Sequence, residues 1–329
     1  MADARLEAEL AVQGGTDEAY VVGAFRLLLR REPDVEALQR ALAKLGEGTL
    51  SRATLVHELA SSDEFGRVQE LDDAVALGLG ARERGEPIRW LQAAPGTDER
   101  VVEVPWVLSR LRSAGRVLEV GYAFAETAYL AGLLRSGVEL VGVDLAVREV
   151  AGLETVEADV RELPFPDGSF DQVLLVSTLE HVGADNAVYG LEGELDADAR
   201  LHALHELRRV LRRDGSLLVT VPLGQPGDHG WFRQEDEAGW NRLYAGADLF
   251  VSEQEAYELT EEGWRAAPDF DAEGVLYGSR GPAASAVLCA ELRPGRLRRL
   301  ATPSGLWTTA RRRARPIRHR RTSRGGETT

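Results

Sequence analysis

R-V-L-E-V-G-Y-A-F-A-E, Arg116 to Glu126, is where the chain changes texture. Val117 to Val120 is a short apolar run that ends at Gly121 and leads into a helix-forming stretch. A strand entering a helix through a glycine brings backbone N–H groups against a ligand, and the helix N-terminus adds partial positive charge. The motif recurs downstream. Leu140 to Val143 ends at Asp144, Gln172 to Ser177 follows the turn signal Pro166-Asp167-Gly168, and Ser216 to Val221 follows Asp214-Gly215. Asp198 to Arg212 lies between the last two, with Leu201, Leu204, Leu207 and Leu211 on one helix face. Strands alternating with helices predict an α/β, Rossmann-like sheet, mostly parallel and covered on both faces.

The end of this pattern differs. Trp264 to Phe270 and Ala284 to Leu292 both read as strands, and the link between them holds Gly274, Gly278, Gly281 and Pro282. That link is too broken for a crossover helix, so the two strands are expected to pair antiparallel. A sheet ending on an antiparallel strand departs from the all-parallel dinucleotide-binding sheet.

Chemistry-bearing residues gather at the strand ends. Alanines at 123 and 125 leave only Gly121 of a glycine-rich loop and give little room for a pyrophosphate. Asp144 follows Gly121 by 23 residues, near the spacing of about 20 for an acid that accepts hydrogen bonds from ribose hydroxyls. Asp159, in E-A-D-V-R, is placed to accept from an adenine amino group with Val160 beside the ring. The run Phe170 to Val182 brings Ser177, then Glu180 and His181, to the carboxyl edge where open α/β sheets bind ligands.

Over Arg116 to Leu292 these segments together resemble the class I S-adenosylmethionine-dependent methyltransferases, whose fifth-strand signature is similar to L-R-R-V-L-R-R-D-G-S-L-L-V-T-V-P, Leu207 to Pro222. The resemblance implies that Glu119 and Gly121 contact the cofactor's methionine part, Asp144 its ribose and Asp159 its adenine. Tyr122, Leu145, Val160 and Ser177 complete the expected cofactor contacts. E-H-V-G-A-D-N-A-V-Y-G, Glu180 to Gly190, and V-P-L-G-Q-P-G-D-H-G-W-F-R-Q, Val221 to Gln234, are similar to bacterial methyltransferases of glycan and polysaccharide biosynthesis. That likeness implies a sugar hydroxyl as acceptor. His181 is the first candidate for general base and His229 the second, because a hydroxyl is a poor nucleophile and imidazole titrates near neutrality. Glu180, Trp231 and Phe232 are the expected substrate contacts, with Trp240 and Tyr244 completing an aromatic lid that excludes water.

Upstream, residues 1–70 read as a helical docking domain. Asp17 to Arg31 has apolar residues on one face, Pro33 breaks it, and Asp34 to Leu45 resumes. Ser51 is placed to cap Arg52 to Ala60, and Ser61 with Glu64 has capping-box spacing that opens a short turn. The stretches A-F-R-L-L-L-R-R-E-P-D, L-G-E-G-T-L-S-R-A and S-S-D-E-F resemble a small helical bacterial domain of unknown function. Gly78, Gly80, Gly85, Pro87, Pro95 and Gly96 make residues 71–100 read as a connector without long regular structure. Glu99 to Arg112 reads as a helix interrupted near Pro105, inside a methyltransferase domain of residues 101–292.

Composition bounds the rest. The 329 residues are 44% apolar and 28% charged, as in a soluble globular protein, and no apolar run reaches membrane-spanning length. Met1 to Leu10 is acidic and lacks the character of a secretory signal. The lone Cys289 forms no internal disulfide and no cysteine zinc site, which points to a reducing cytoplasm. Of 39 basic and 54 acidic residues, 12 basic and one acidic lie in 292–329, leaving 27 against 53 upstream. A body so acidic repels nucleic acid, so no nucleic-acid substrate is expected. The tail, residues 293–329, is expected to be disordered and suited to an anionic surface. His202 and His205 share a helix face but find no third ligand, so no metal is expected.

The reading is thus O-methyl transfer from S-adenosylmethionine to a sugar or glycan precursor, with a protein partner on the helical domain. Two rivals stand beside it: a non-catalytic scaffold of the same fold in a glycan-assembly complex, and a nicotinamide-dependent oxidoreductase.

Overall fold

The computed structural model describes residues 15–190, 195–281 and 283–295. The basic tail beyond Gly295, the first 14 residues and Pro282 lie outside them.

Four capped helices open the described chain: α1 (Asp17–Leu29), α2 (Val35–Gly46), α3 (Arg52–Ala60) and α4 (Asp63–Arg84). Thr16, Asp34, Ser51 and Ser62 each accept a backbone N–H of the first turn. The cap of α4 is therefore Ser62, whose Oγ accepts from Phe65 N at 3.1 Å, and Ser61 instead ends α3. Tyr20, Val21, Phe25, Leu28, Leu55 and Val56 form a core of their own.

The expected connector is a correction. α4 runs unbroken for 22 residues, straight through the boundary placed at residue 70. Gly78 does not interrupt it; a Cβ there would lie 2.7 Å from Leu108 Cβ and 2.9 Å from Pro105 Cα. Glycine lets α4 cross closely over α5 (Arg100–Ser109), and the buried contact outweighs a helix-propensity cost of about 1 kcal/mol. α5 also continues through Pro105, because every side chain from Val101 to Ser109 is buried and packing offsets the lost hydrogen bond. At the end of α4, the Arg82 guanidinium donates to the carbonyls of Leu111, Arg112 and Ser136 and ties the helix to the α/β body.

That body is built on β1 (Arg116–Val120), β2 (Glu139–Asp144), β3 (Glu154–Glu157), β4 (Phe170–Val176) and β5 (Leu211–Pro222), with α6 (Thr127–Arg135) and α7 (Ala199–Val210) among them. A two-residue ribbon, β6 (Gly227–Asp228) with β7 (Arg233–Gln234), precedes α8 (Glu237–Gly246), β8 (Leu249–Thr260), β9 (Gly263–Ala266) and β10 (Ala286–Pro294). The main sheet runs β3-β2-β1-β4-β5-β10-β8-β9. The first five strands are mutually parallel, and β10 is antiparallel to both its neighbours. The sheet is thus Rossmann-like with an antiparallel last strand.

The two strands expected to pair do not. β8 lies between β9 and β10, in a region whose sequence does not show a strand's alternation. Its glutamates hide the pattern: Glu253 pairs with Arg89 and Arg110, and Glu258 with Arg265 and Arg280.

Side-chain alternation along the strands divides the core. Leu118, Val141, Val173 and Val219 face Leu204, Leu207 and Val210 of α7 and Trp240 and Tyr244 of α8. Val117, Leu140, Leu174 and Leu218 face α5, α6 and Val75 of α4. Trp240 and Tyr244 are therefore core residues, not a lid; the Trp240 Nε1–H donates to the Pro222 carbonyl at 3.0 Å. Among the described residues no helix is long and apolar enough to cross a membrane.

Candidate active site

The carboxyl ends of β1, β2, β3 and β4 open into one cavity of about 230 Å³, to which α5 contributes Arg100 and Val104. Gly121 turns the chain out of β1 with φ 88°, and a Cβ there would lie 2.5 Å from Thr178 Oγ1. Only glycine lets the loop after β1 pass this close to the loop after β4. Asp144 fixes the next wall. Its Oδ2 accepts from Ala123 N and its Oδ1 from Ala146 N, both at 3.0 Å. Each oxygen keeps a second lone pair for a ligand.

Glu119 stands below the loop, buried, and accepts from the Tyr129 hydroxyl at 2.9 Å. Burial, against that hydrogen bond, pushes its carboxyl up to about 8. Asp159 lines another wall of the cavity with Ala158, Val160 and Leu145. Its carboxylate accepts from the Arg161 guanidinium in three contacts of 2.7 to 3.0 Å and from the Arg161 backbone N–H at 2.8 Å. Burial works to raise its pKa, but the Arg161 hydrogen bonds outweigh it and hold the group below the ordinary aspartate value. An Asp–Arg pair thus stands where a free carboxylate was expected.

Ser177 ends β4 at φ 42°, a conformation that non-glycine residues adopt rarely. Its hydroxyl donates to Glu103 Oε1 at 2.7 Å, so strand end and α5 are locked together. Tyr122, in contrast, is wholly buried and does not line the cavity. Its ring fills the space over Gly142, and its hydroxyl accepts from Arg148 N at 3.3 Å. Tyr122 supports the loop and does not reach a ligand.

His181 lies on the cavity wall, with Nδ1 2.9 Å from the Trp231 carbonyl oxygen. A carbonyl only accepts, so Nδ1 carries the proton and Nε2 presents its lone pair. Burial holds the imidazole below its ordinary pKa, against the hydrogen bond to the Trp231 carbonyl. Its ring stacks on Trp231 at 5.2 Å and meets Tyr189 edge-on at 5.5 Å. Glu180 Oε1 is 3.8 Å from Nε2. Glu180, Trp231 and Phe232 back His181 and are not part of the cavity lining. His229 is exposed and stacks on Phe232 at 4.5 Å, also outside that lining. His202 and His205 are exposed on α7, and the described residues hold no cluster suited to a metal ion.

Five cavity or supporting residues escaped the sequence reading: Arg100, Glu103, Tyr129, Asn186 and Tyr189. Tyr189 and Asn186 lie inside a quoted segment, but Arg100 and Glu103 reach the site through tertiary packing of α5.

The lining fits S-adenosylmethionine. A glycine whose Cβ would clash marks a backbone cradle, Asp144 offers acceptors at ribose position, and apolar Val143, Leu145, Ala158 and Val160 suit an adenine face.

Residues 118–219 match the family described as methyltransferase domain. The chain is 32% identical over 117 residues to a ubiquinone/menaquinone biosynthesis C-methyltransferase of Hahella chejuensis, covering 36% of this chain and 41% of that protein. It is 30% identical over 159 residues to the protein of that name from Xanthomonas campestris, covering 47% and 56%. The chain thus spans about half the length of these relatives. Among solved structures, a Burkholderia thailandensis 1,6-didemethyltoxoflavin-N1-methyltransferase, with bound S-adenosylhomocysteine, matches at 16% identity and TM-score 0.41, covering 78% of this chain and 86% of that one. The strand order and the cavity at the strand ends are those of a Rossmann-like methyltransferase fold, and the family match over 118–219 lies within it.

Proposed function

We propose that the protein transfers a methyl group from S-adenosylmethionine to a hydroxyl of a sugar or glycan precursor. The observation that carries this reading is His181, which lines the cavity with Gly121 and Thr178 and has its Nδ1 held by the Trp231 carbonyl, leaving Nε2 as the basic nitrogen. The cofactor, when bound, supplies a methyl group already activated on a sulfonium. The protein's work is then alignment. Asp144 holds the nucleoside end and the Gly121 turn the methionine end, which together fix the direction in which the acceptor oxygen must approach. His181 Nε2 takes the hydroxyl proton as the oxygen–carbon bond forms, and the Trp231 carbonyl holds the resulting imidazolium through Nδ1–H. Tyr189, on the cavity wall, offers a flat apolar face of the kind that sugars stack upon.

The names of the curated relatives favour a second reading, methyl transfer to carbon. Turnover with S-adenosylmethionine carrying a ¹³C-methyl group, against nucleotide sugars, glycan extracts and quinone precursors, separates the two. An oxygen-bound methyl carbon in the product NMR spectrum supports the first; a carbon-bound methyl supports the second. Binding of S-adenosylhomocysteine without turnover on any acceptor would favour a scaffold. We further infer a reducing, cytoplasmic setting from the one buried thiol, Cys289, and a docking role for the α1–α3 helical core.

A further inference from the structure

Tyr129 and Glu119 meet beneath the loop that leaves β1. Both are buried, at 2% and 1% exposure, and both line the cavity. Tyr129 stands in the first turn of α6 and belongs to the core with Leu130 and Leu133. Its hydroxyl donates to Glu119 Oε2 at 2.9 Å. Glu119 Oε1 makes no hydrogen bond among the described residues, and it is not one of their fully enclosed unpartnered atoms. That oxygen therefore opens on the cavity that Glu119 lines.

The other acids on the cavity wall are differently engaged. Asp144 accepts the backbone N–H groups of Ala123 and Ala146, Asp159 is tied to Arg161, and Glu126 is exposed, where water screens its charge. S-adenosylmethionine carries one ammonium group, on its amino-acid end. An ammonium only donates, so in a buried place it needs an acceptor. A hydroxyl that donates to one carboxylate oxygen fixes the plane of the group and favours its ionised form.

We propose that Tyr129 is a positioning residue for the methyl donor: its hydroxyl holds one oxygen of Glu119 and aims the other into the cavity to receive the donor's ammonium. This rests on the methyl-donor reading and adds a proton to it. In the empty protein, burial keeps Glu119 protonated near neutral pH, against the Tyr129 hydrogen bond. Arg100 of α5, also on the cavity wall, favours the carboxylate, and Asp144 of β2 opposes it. Glu103 of α5 acts on Tyr129, but it is engaged by Arg100 and the Ser177 hydroxyl. As the donor enters, its ammonium keeps its three protons, Glu119 Oε1 gives one to solvent, and the ion pair forms. Donor affinity therefore rises with pH.

The test is calorimetry on the full chain between pH 6 and 8.5 with two probes, S-adenosylhomocysteine and 5′-methylthioadenosine, which lacks the amino-acid end. Buffers of different ionisation enthalpy count the protons. At pH 8, S-adenosylhomocysteine is expected to bind at least about tenfold tighter than 5′-methylthioadenosine. It alone is expected to gain affinity as pH rises, releasing about one proton per molecule bound below pH 7. Tyr129→Phe keeps the ring and removes the hydroxyl. It is expected to weaken S-adenosylhomocysteine at least about threefold at pH 7 and to move the midpoint of the pH rise upward, with 5′-methylthioadenosine held within about twofold. Should that variant not fold, 3-fluorotyrosine placed at Tyr129, a stronger donor of nearly the same shape, must move the midpoint downward. Equal loss for both probes, an unmoved midpoint in Tyr129→Phe, or no proton release by the wild type would overturn the proposal and leave the donor reading standing. If S-adenosylhomocysteine does not bind the wild type at all, the donor reading itself fails and takes this assignment with it.

Discussion

The Asp144 carboxylate accepts the backbone N–H of Ala123 at 3.0 Å, which fastens the end of the second strand to the loop leaving the first. One side chain therefore does two things: it shapes the Gly121 turn, and it offers its remaining lone pairs to whatever occupies the cavity. Asp144→Ala removes both. It is expected to weaken S-adenosylhomocysteine binding by more than about tenfold, the loss of one good charge-assisted contact. Calorimetry on the variant checks this, with circular dichroism to confirm the fold; unchanged affinity would take Asp144 out of the site.

His181 is held by a main-chain carbonyl, not by a carboxylate, on its Nδ1 side. His181→Gln keeps a donor toward Trp231 but removes the basic lone pair. Turnover is expected to drop by about 10² to 10⁴, the usual contribution of a general base, with KM for S-adenosylmethionine little changed. Equal loss in both would make His181 a binding residue instead.

The buried acids predict an uncommon pH profile for the unliganded protein. Glu119 and Glu180 are pushed up to about 8 and Glu99 to about 7, all by burial first. Between the unfolded carboxylate value and these, the folded state holds protons that the unfolded chain has released. Stability is then fully present at the acid end and is lost as pH rises toward 8, by up to about 1.4 kcal/mol per pH unit for each group. His181 opposes this with one group, because its depressed pKa favours folding as pH rises. Asp171, Glu206 and Glu258, whose pKa values are lowered, act only below the ordinary carboxylate range. Urea unfolding from pH 5 to 8 is expected to show falling stability, and Glu119→Gln to flatten the descent. A profile that rises across that interval would contradict it.

At the crossing of α4 and α5, Gly78→Ala is a sharp test of packing against propensity. Alanine improves helix propensity by about 1 kcal/mol, yet its Cβ has no room against Leu108 and Pro105. Overpacking of about 1–3 kcal/mol is expected to win. The urea midpoint should fall with an unchanged m-value; a rise would show that the crossing yields easily.

Much of this architecture could be read from local sequence, and the exceptions share a cause. β1, β2, β4 and β5 are buried parallel strands and appear as unbroken apolar runs. β8 is interleaved with glutamates whose partners, Arg110 and Arg280, lie far away in sequence. Glycine carried the opposite error in α4, where Gly78 marks close contact and not a loop. Gly121, Asp144 and His181 all line the cavity, and sequence could place them there because each lies at or just beyond the carboxyl end of a strand, where open α/β sheets form their crevice. Arg100 and Glu103 were not, since nothing in α5 announces that it packs over the tip of β4. Tyr122 misled for a related reason: it adjoins the turn in sequence while its side chain points into the core.

The most direct test of the central claim is a calorimetric titration of the full chain with S-adenosylhomocysteine. Saturable binding at one site per chain, abolished or much weakened in Asp144→Ala, is the predicted result. Absence of binding to the folded protein, or equal binding by the variant, would contradict the assignment of this cavity to the methyl donor.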